Sequence, residues 1–129
     1  MAFKPNQSDV ISTMPLEYPP ATAAEAYTVG EALKIDGGAV TKCGATDAPV
    51  YICSKEFTAA AGDTVPCWRV PRTMTFETTL AAAGTALKIG DRVTLHTDGA
   101  QVTATTASGV AEIVSMGGTA VGSPVIVRF

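Results

Sequence analysis

The side chain in this sequence that is best suited to acid–base chemistry is its single histidine, His96. A hydrolytic triad would need an acid such as Asp98 and an activated hydroxyl beside the imidazole, and no Gly-x-Ser-x-Gly segment supplies that hydroxyl. Alternation with Val93 and Leu95 places His96 on the outer face of a predicted strand, beside a turn. We therefore predict no catalytic residue, and one histidine excludes a multi-histidine metal site.

Three acidic residues directly follow a glycine, in the steps Gly30-Glu31, Gly62-Asp63 and Gly90-Asp91. Carboxylates can bind metals or act in catalytic pairs, but a carboxylate that accepts local backbone N–H bonds in a turn explains each of these positions. The chain also lacks a phosphate-binding loop, a dinucleotide-binding glycine pattern and EF-hand spacing. The sequence thus predicts neither a metal nor a cofactor.

Trp68 lies beside Arg69 and Arg72, a combination that could stack against a base or a sugar. Aromatic residues make up only 6% of the chain, which is low for a carbohydrate-binding surface. The sequence therefore favours a position for Trp68 in the core or in a subunit interface.

Composition excludes further classes of function. The chain has 129 residues, which is the length of one domain. Its net charge is −3 and the sequence contains no cluster of lysine and arginine, so we expect no nucleic-acid partner. No stretch approaches the roughly 18 apolar residues of a membrane helix, and the start lacks a signal-peptide pattern, so we expect no membrane partner and synthesis in the cytoplasm. The cysteines, at positions 43, 53 and 67, fit neither a disulfide framework nor a metal clamp and are predicted to be buried.

Residues 1–26 predict an extended N-terminal arm. Four prolines interrupt this segment and withdraw backbone donors, so it should run along a surface. Its apolar side chains need to be covered, and we predict that they contact a partner chain. The candidate contact residues are Phe3, Val10, Ile11, Met14, Leu16 and Tyr18.

Residues 27–129 predict a single β-rich domain. Residues 29–41 and 89–103 share one pattern, in which a Gly-acid turn opens an alternating strand, an Asp-Gly turn follows, and a second strand returns. The second occurrence contains a two-residue insertion, His96-Thr97. The pattern predicts two related β-hairpins.

The remaining elements are also short. Strands are predicted at 74–78 and 125–129, and the candidates for helices are limited to 22–27 and 79–86. We therefore predict an all-β fold, a small barrel or sandwich of seven to nine strands built from the two hairpin units, with the arm outside it. Its predicted core consists of Leu33, Ile35, Val40, Val50, Ile52, Val65, Trp68, Phe76, Val93, Leu95, Val102 and Ile113.

A series of short motifs runs through nearly the whole chain. In order they are MPLEYPP, VGEAL, PVYI, AGDTVP, RV, TFET, IGDRVTL, GVAE and a final VRF. This order resembles that of the small capsid decoration, or cement, proteins of tailed bacteriophages and prophages.

The resemblance implies a non-enzymatic structural protein that binds the outer surface of an assembled capsid and stabilises it. Its partners would be the major capsid protein and other copies of itself, commonly in a homotrimer, and it would be located in the virion. The arm would reach onto the shell or a neighbouring subunit. Two alternatives stay open: a tail, vertex or spike component of the virion, and a β-sandwich module that binds a carbohydrate or a host surface.

Overall fold

Short runs of β-branched and aromatic residues, separated by glycine-containing turns, make this chain all-β. The computed structural model describes residues 2–8 and 15–129, and within these ranges it contains twelve strands and no helix, so none that could span a membrane. The strands are β1 (Lys4–Ser8), β2 (Leu16–Glu17), β3 (Ala26–Tyr27), β4 (Ala32–Asp36), β5 (Ala39–Lys42), β6 (Tyr51–Cys53), β7 (Phe57–Thr58), β8 (Cys67–Arg69), β9 (Met74–Thr79), β10 (Arg92–Val93), β11 (Ala111–Met116) and β12 (Pro124–Arg128).

Neither of the two helical candidates, 22–27 and 79–86, forms a helix. In the first segment Ala24 has a φ of +67°, which ends any helical turn. In the second, the backbone N–H of Ala81 donates to the carbonyl of Val102, a distant residue. Helices this short have little stability of their own, so such tertiary hydrogen bonds decide the local conformation.

The strands form three antiparallel sheets. Sheet 1 has the order β2-β8-β6-β4-β5, sheet 2 has the order β1-β9-β12-β11-β10, and β3 and β7 form a two-stranded sheet. None of them closes into a barrel. The all-β prediction is confirmed, and the architecture is layered.

The layers enclose two hydrophobic clusters, which we name core 1 and core 2. Core 1 lies between sheets 1 and 2, and core 2 lies between sheet 1 and the two-stranded sheet. Sheet 1 is therefore buried on both faces, which explains why Tyr51, Ile52 and Cys53 on its central strand are all buried. Sheet 2 has one buried face, formed by Met74, Phe76, Ala111, Ile113, Val125 and Val127 among others.

Nine of the twelve predicted core residues are buried. Val50 and Trp68 are half-buried, and Ile35 is 52% exposed. Ile35 follows the alternation of β4, but it lies near the hairpin turn, past the residues of β4 that pair with β6. All three cysteines are buried and free, as predicted.

The first predicted hairpin is confirmed, and the second is only partly formed. Strands β4 and β5 pair from Leu33 with Lys42 to Asp36 with Ala39, so the turn is Gly37-Gly38, one residue after the predicted Asp-Gly position. Both glycines have the positive φ that a two-residue hairpin turn requires. In the second unit the returning segment forms no strand, and its Val102 makes isolated bridges to Leu95 and to Leu80.

The internal repeat extends well beyond the two hairpins. Pairs in sheet 1 recur in sheet 2 about 60 residues later, which defines a first repeat (residues 16–69) and a second repeat (residues 74–128). Strands β2, β8, β6 and β4 correspond to β9, β12, β11 and β10. The matching pairs are Ala32–Ile52 with Arg92–Glu112, Leu33–Tyr51 with Val93–Ala111, Cys53–Cys67 with Ile113–Val127, and Glu17–Cys67 with Phe76–Val127.

Candidate functional site

The candidate docking surface is the outer edge of β2, which is also the edge of sheet 1. Strand β2 pairs with β8 on one side. On the other side β5 meets this segment only after the strand, where the Val40 N–H donates to the Pro20 carbonyl over 2.9 Å, and no strand in the described ranges pairs with Leu16 or Tyr18. A free strand edge presents unpaired N–H and C=O groups to which another chain can add a strand. We name this surface, formed by Leu16, Glu17 and Tyr18, the β2 edge.

Hydrogen bonds in the segment that follows β2 fix the direction of its backbone groups. The Val65 N–H donates to the Pro19 carbonyl and the Ala21 N–H donates to the Asp63 carbonyl, both over 2.9 Å. Odd-numbered residues in this segment therefore direct their backbone groups toward β8 and its continuation. Leu16 and Tyr18, in the opposite phase, direct theirs outward.

The prolines that flank β2 do not block this edge. Pro15 and Pro19 are in the same phase as Glu17, so the donors that they lack would point toward β8. Proline is tolerated in a strand where its missing N–H is not needed for pairing. The outward donors of Leu16 and Tyr18 are thus preserved within a proline-rich segment.

The side chains of the β2 edge are apolar and accessible. Leu16 is 40% exposed and Tyr18 is 60% exposed. Leu16 lies opposite the half-buried Trp68. The edge thus offers both main-chain groups and apolar surface to a partner.

A cluster of polar side chains holds β2 in place. The Arg69 guanidinium donates from Nε to Glu17 Oε2 over 2.9 Å and from Nη2 to Glu17 Oε1 over 3.1 Å. The same Nη2 donates to the Tyr51 hydroxyl over 2.7 Å, and the guanidinium lies over the Tyr51 ring. The hydrogen bond from Arg69 lowers the pKa of Glu17, so this carboxyl stays charged. The cluster joins β2, β6 and β8.

The equivalent edge in the second repeat is already occupied. Strand β9 corresponds to β2, and its outer edge pairs with β1, where Lys4 lies opposite Glu77. Glu77 occupies the position of Tyr18, and its carboxylate lies 3.6 Å from the Lys4 ammonium. The same backbone edge thus already accepts an antiparallel strand elsewhere in this molecule.

The structure separates the six predicted contact residues. Leu16 and Tyr18 lie on the β2 edge, whereas Phe3 is 1% exposed and packs in core 1 against Phe129, with ring centroids 5.2 Å apart. Val10, Ile11 and Met14 lie outside the described residues. Within the predicted arm, residues 4–8 and 16–17 are strands of the two five-stranded sheets.

The residues considered for chemistry occupy structural positions. His96 is half-buried, and its backbone N–H donates to the Gln101 carbonyl in the second hairpin. Trp68 packs against core 1, so its ring is not an open stacking platform. Among the residues that the structure describes, no three metal-binding side chains are grouped together.

The sequence predicts two residues of the β2 edge but not the side-chain cluster that holds them. Arg69 and Glu17 are 52 residues apart, and no local spacing links them. The register of β2 against β8 brings them together, and that register depends on the fold of the whole first repeat.

Comparison of the chain with models of protein families, with curated proteins and with solved structures gave no match.

Proposed function

We propose that this chain is a non-enzymatic structural protein that binds the outer surface of an assembled bacteriophage capsid and stabilises it, as a decoration protein. The order of motifs along the sequence suggests the class of partner. The main observation that supports the proposed contact is the β2 edge. It is an apolar strand edge whose backbone groups point outward, and the equivalent edge in the second repeat accepts a strand.

Binding would proceed by addition of a strand. An extended segment of the major capsid protein would lie antiparallel to β2, and the backbone groups of Leu16 and Tyr18 would exchange hydrogen bonds with it. Apolar side chains of that segment would cover the two exposed side chains. The Arg69–Glu17 pair keeps the edge in place, which reduces the cost of ordering it on binding.

Stabilisation of the capsid would follow from mass action. A protein that binds the assembled shell and not its separated subunits shifts the equilibrium toward the shell. A homotrimer that contacts several shell subunits would add avidity, because the second and third contacts form at high effective concentration. This mechanism requires no catalytic group and places the protein in the virion.

Substitutions on the β2 edge test this proposal. Leu16→Ser together with Tyr18→Ser removes the apolar surface, and Tyr18→Pro removes one outward N–H. Each variant should weaken co-sedimentation with undecorated shells by roughly 10-fold or more, because the lost contacts lie at the centre of the interface. The melting temperature should stay close to that of the unmodified protein, since neither side chain is buried.

Matched substitutions elsewhere serve as controls. Ile89 and Val121 are 63% and 66% exposed and lie in turns of the second repeat. Ile89→Ser with Val121→Ser removes a similar apolar surface, and Ile89→Pro introduces a proline at the second position of a turn that accepts it. These variants should bind shells as the unmodified protein does. Equal binding by the β2-edge variants and these controls would refute the contact.

A tail, vertex or spike component is the main alternative, and the number of chains per particle distinguishes it. A carbohydrate-binding module has less support, since Trp68 packs against core 1.

A further inference from the structure

The three Gly-acid turns have the same backbone but not the same side-chain contacts. In two of them the aspartate accepts a hydrogen bond from the N–H of the first turn residue. Asp63 accepts from Ala60 over 2.8 Å, and Asp91 accepts from Lys88 over 2.9 Å. This contact is the local stabilisation expected of an aspartate in a turn.

Glu31 occupies the same position in the third turn and does not make this contact. One oxygen lies 3.5 Å from the Thr28 hydroxyl, at the limit of a hydrogen bond, and the other has no partner among the described residues. The residue is only 5% exposed. A buried carboxylate oxygen without a partner is costly when it carries charge, so the neutral acid is the form that this site favours.

Charged groups around Glu31 do not compensate for its burial. Burial raises the pKa of Glu31 to about 7; Lys42 opposes this increase, and Glu25 and Asp98 add to it. The titratable residues that face Glu31 from the elements around it are Glu25, Tyr27, Lys42, Cys43, Cys53 and Asp98.

The backbone beside Glu31 is a junction of four segments. The Phe3 N–H donates to the Gly30 carbonyl over 3.0 Å, and the Cys53 N–H donates to the Glu31 carbonyl over 2.9 Å. The Ala32 N–H donates to the Gly99 carbonyl over 2.7 Å. The N-terminal segment, β6 and the second hairpin are therefore all attached to the turn at 28–31.

We propose that Glu31 is a proton-binding switch that controls how firmly the N-terminal segment, residues 2–8, is held on the rest of the chain. When the carboxyl group loses its proton, the charge can reach water only if the turn at 28–31 opens. Opening this turn breaks the hydrogen bond between Phe3 and Gly30 and weakens the attachment of β1. The proposal concerns the isolated chain and does not depend on the proposed function.

The direction of the pH effect follows from the two states of the chain. The pKa of Glu31 is higher in the folded chain than its ordinary value of 4.5, so its contribution to stability is full below pH 4.5 and is lost as the pH rises through about 7. The unfolding equilibrium constant should rise on the order of 100-fold from this residue across that interval.

The test compares the unmodified protein with Glu31→Gln, which has the same shape and no charge. Urea unfolding from pH 4.5 to 8.5 should show this loss of stability in the unmodified protein and not in the variant. In hydrogen exchange, protection of the Phe3 amide should fall over the same interval relative to the Gly90 amide, which donates to Ile113 in the equivalent turn. That fall should be absent in Glu31→Gln.

Asp91→Asn is the matched control, because it changes the acidic residue of the equivalent turn. It should lower stability by a similar amount at each pH and leave the pH profile as in the unmodified protein. Identical profiles for the unmodified protein and Glu31→Gln would overturn the switch. If protection of the Phe3 amide does not change with pH, the link between Glu31 and the N-terminal segment is overturned. If Glu31→Gln fails to fold, carboxyl ¹³C titration of the unmodified protein decides: a midpoint above 6 supports the switch and one near 4.5 overturns it.

Discussion

At the scale of single residues, Gly30 and Gly90 show how the two repeats differ. They occupy the same position in equivalent turns and have φ values of +80° and +94°. A Cβ at Gly90 would meet nothing within 4 Å, whereas a Cβ at Gly30 would overlap Ala2. In the first repeat the N-terminal segment thus packs directly against the turn.

This difference predicts unequal effects of the same substitution. Gly90→Ala should cost about 1–2 kcal/mol of unfolding free energy, because alanine is strained at positive φ. Gly30→Ala should cost a further 1–3 kcal/mol or so, because it also displaces Ala2. Urea unfolding of both variants measures the difference. Equal losses of unfolding free energy in the two variants would show that the N-terminal segment does not pack against this turn.

At the scale of elements, β1 is part of the folded body although the sequence predicts an extended arm. It pairs with β9, and the residue before it, Phe3, is buried in core 1. The ring of Phe3 also packs against Phe129 near the other end of the chain. The start of the chain therefore contributes to the stability of the body.

Phe3→Ala should accordingly destabilise the protein by about 3–5 kcal/mol, as expected for loss of a buried aromatic side chain. Lys4→Ala is the control, because the Lys4 side chain is exposed and its ion pair with Glu77 contributes little. Thermal or urea unfolding distinguishes the two. A loss below about 1 kcal/mol for Phe3→Ala would mean that β1 detaches readily in solution.

The sequence predicts elements well where local pattern decides them. The strand at 74–78 and the buried face formed by Val125 and Val127 follow from alternation and are confirmed. The predictions that are wrong concern residues whose environment depends on contacts with residues far away in the sequence. Ile35 fits the alternation but lies past the residues of β4 that pair with β6, and the second hairpin has no returning strand after the His96-Thr97 insertion.

The features of the candidate site also divide into those that the local sequence predicts and those that depend on distant contacts. The exposed apolar residues Leu16 and Tyr18 could be named from the sequence. The outward direction of their backbone groups and the contact between Arg69 and Glu17 could not, because both depend on the register of β2 against β8.

At the scale of the whole molecule, the repeat explains which surfaces are apolar. The face of sheet 1 that contacts core 1 carries Ile52 and Trp68, and the equivalent positions on the open face of sheet 2 are Glu112 and Arg128. The second repeat covers the first, and no sheet in the described ranges covers the second. This uncovered face therefore carries polar side chains at these two positions, both of them half-buried.

Because both repeats contribute to core 1, they should unfold together. Trp68 fluorescence reports on the first repeat, and circular dichroism reports on all strands. The two signals should give coincident urea transitions, and Phe76→Ala in the second repeat should lower both midpoints equally. Separate transitions would indicate that the repeats are independent folding units.

The number of copies of this chain in each particle is the sharpest test of the proposal that it decorates an assembled capsid. Quantitative mass spectrometry of purified virus or prophage particles from the source would give the ratio of this chain to the major capsid protein. For a decoration protein we expect a ratio near one. A few chains per particle would instead indicate a tail or vertex component, and absence of the chain from particles would contradict a role in the virion.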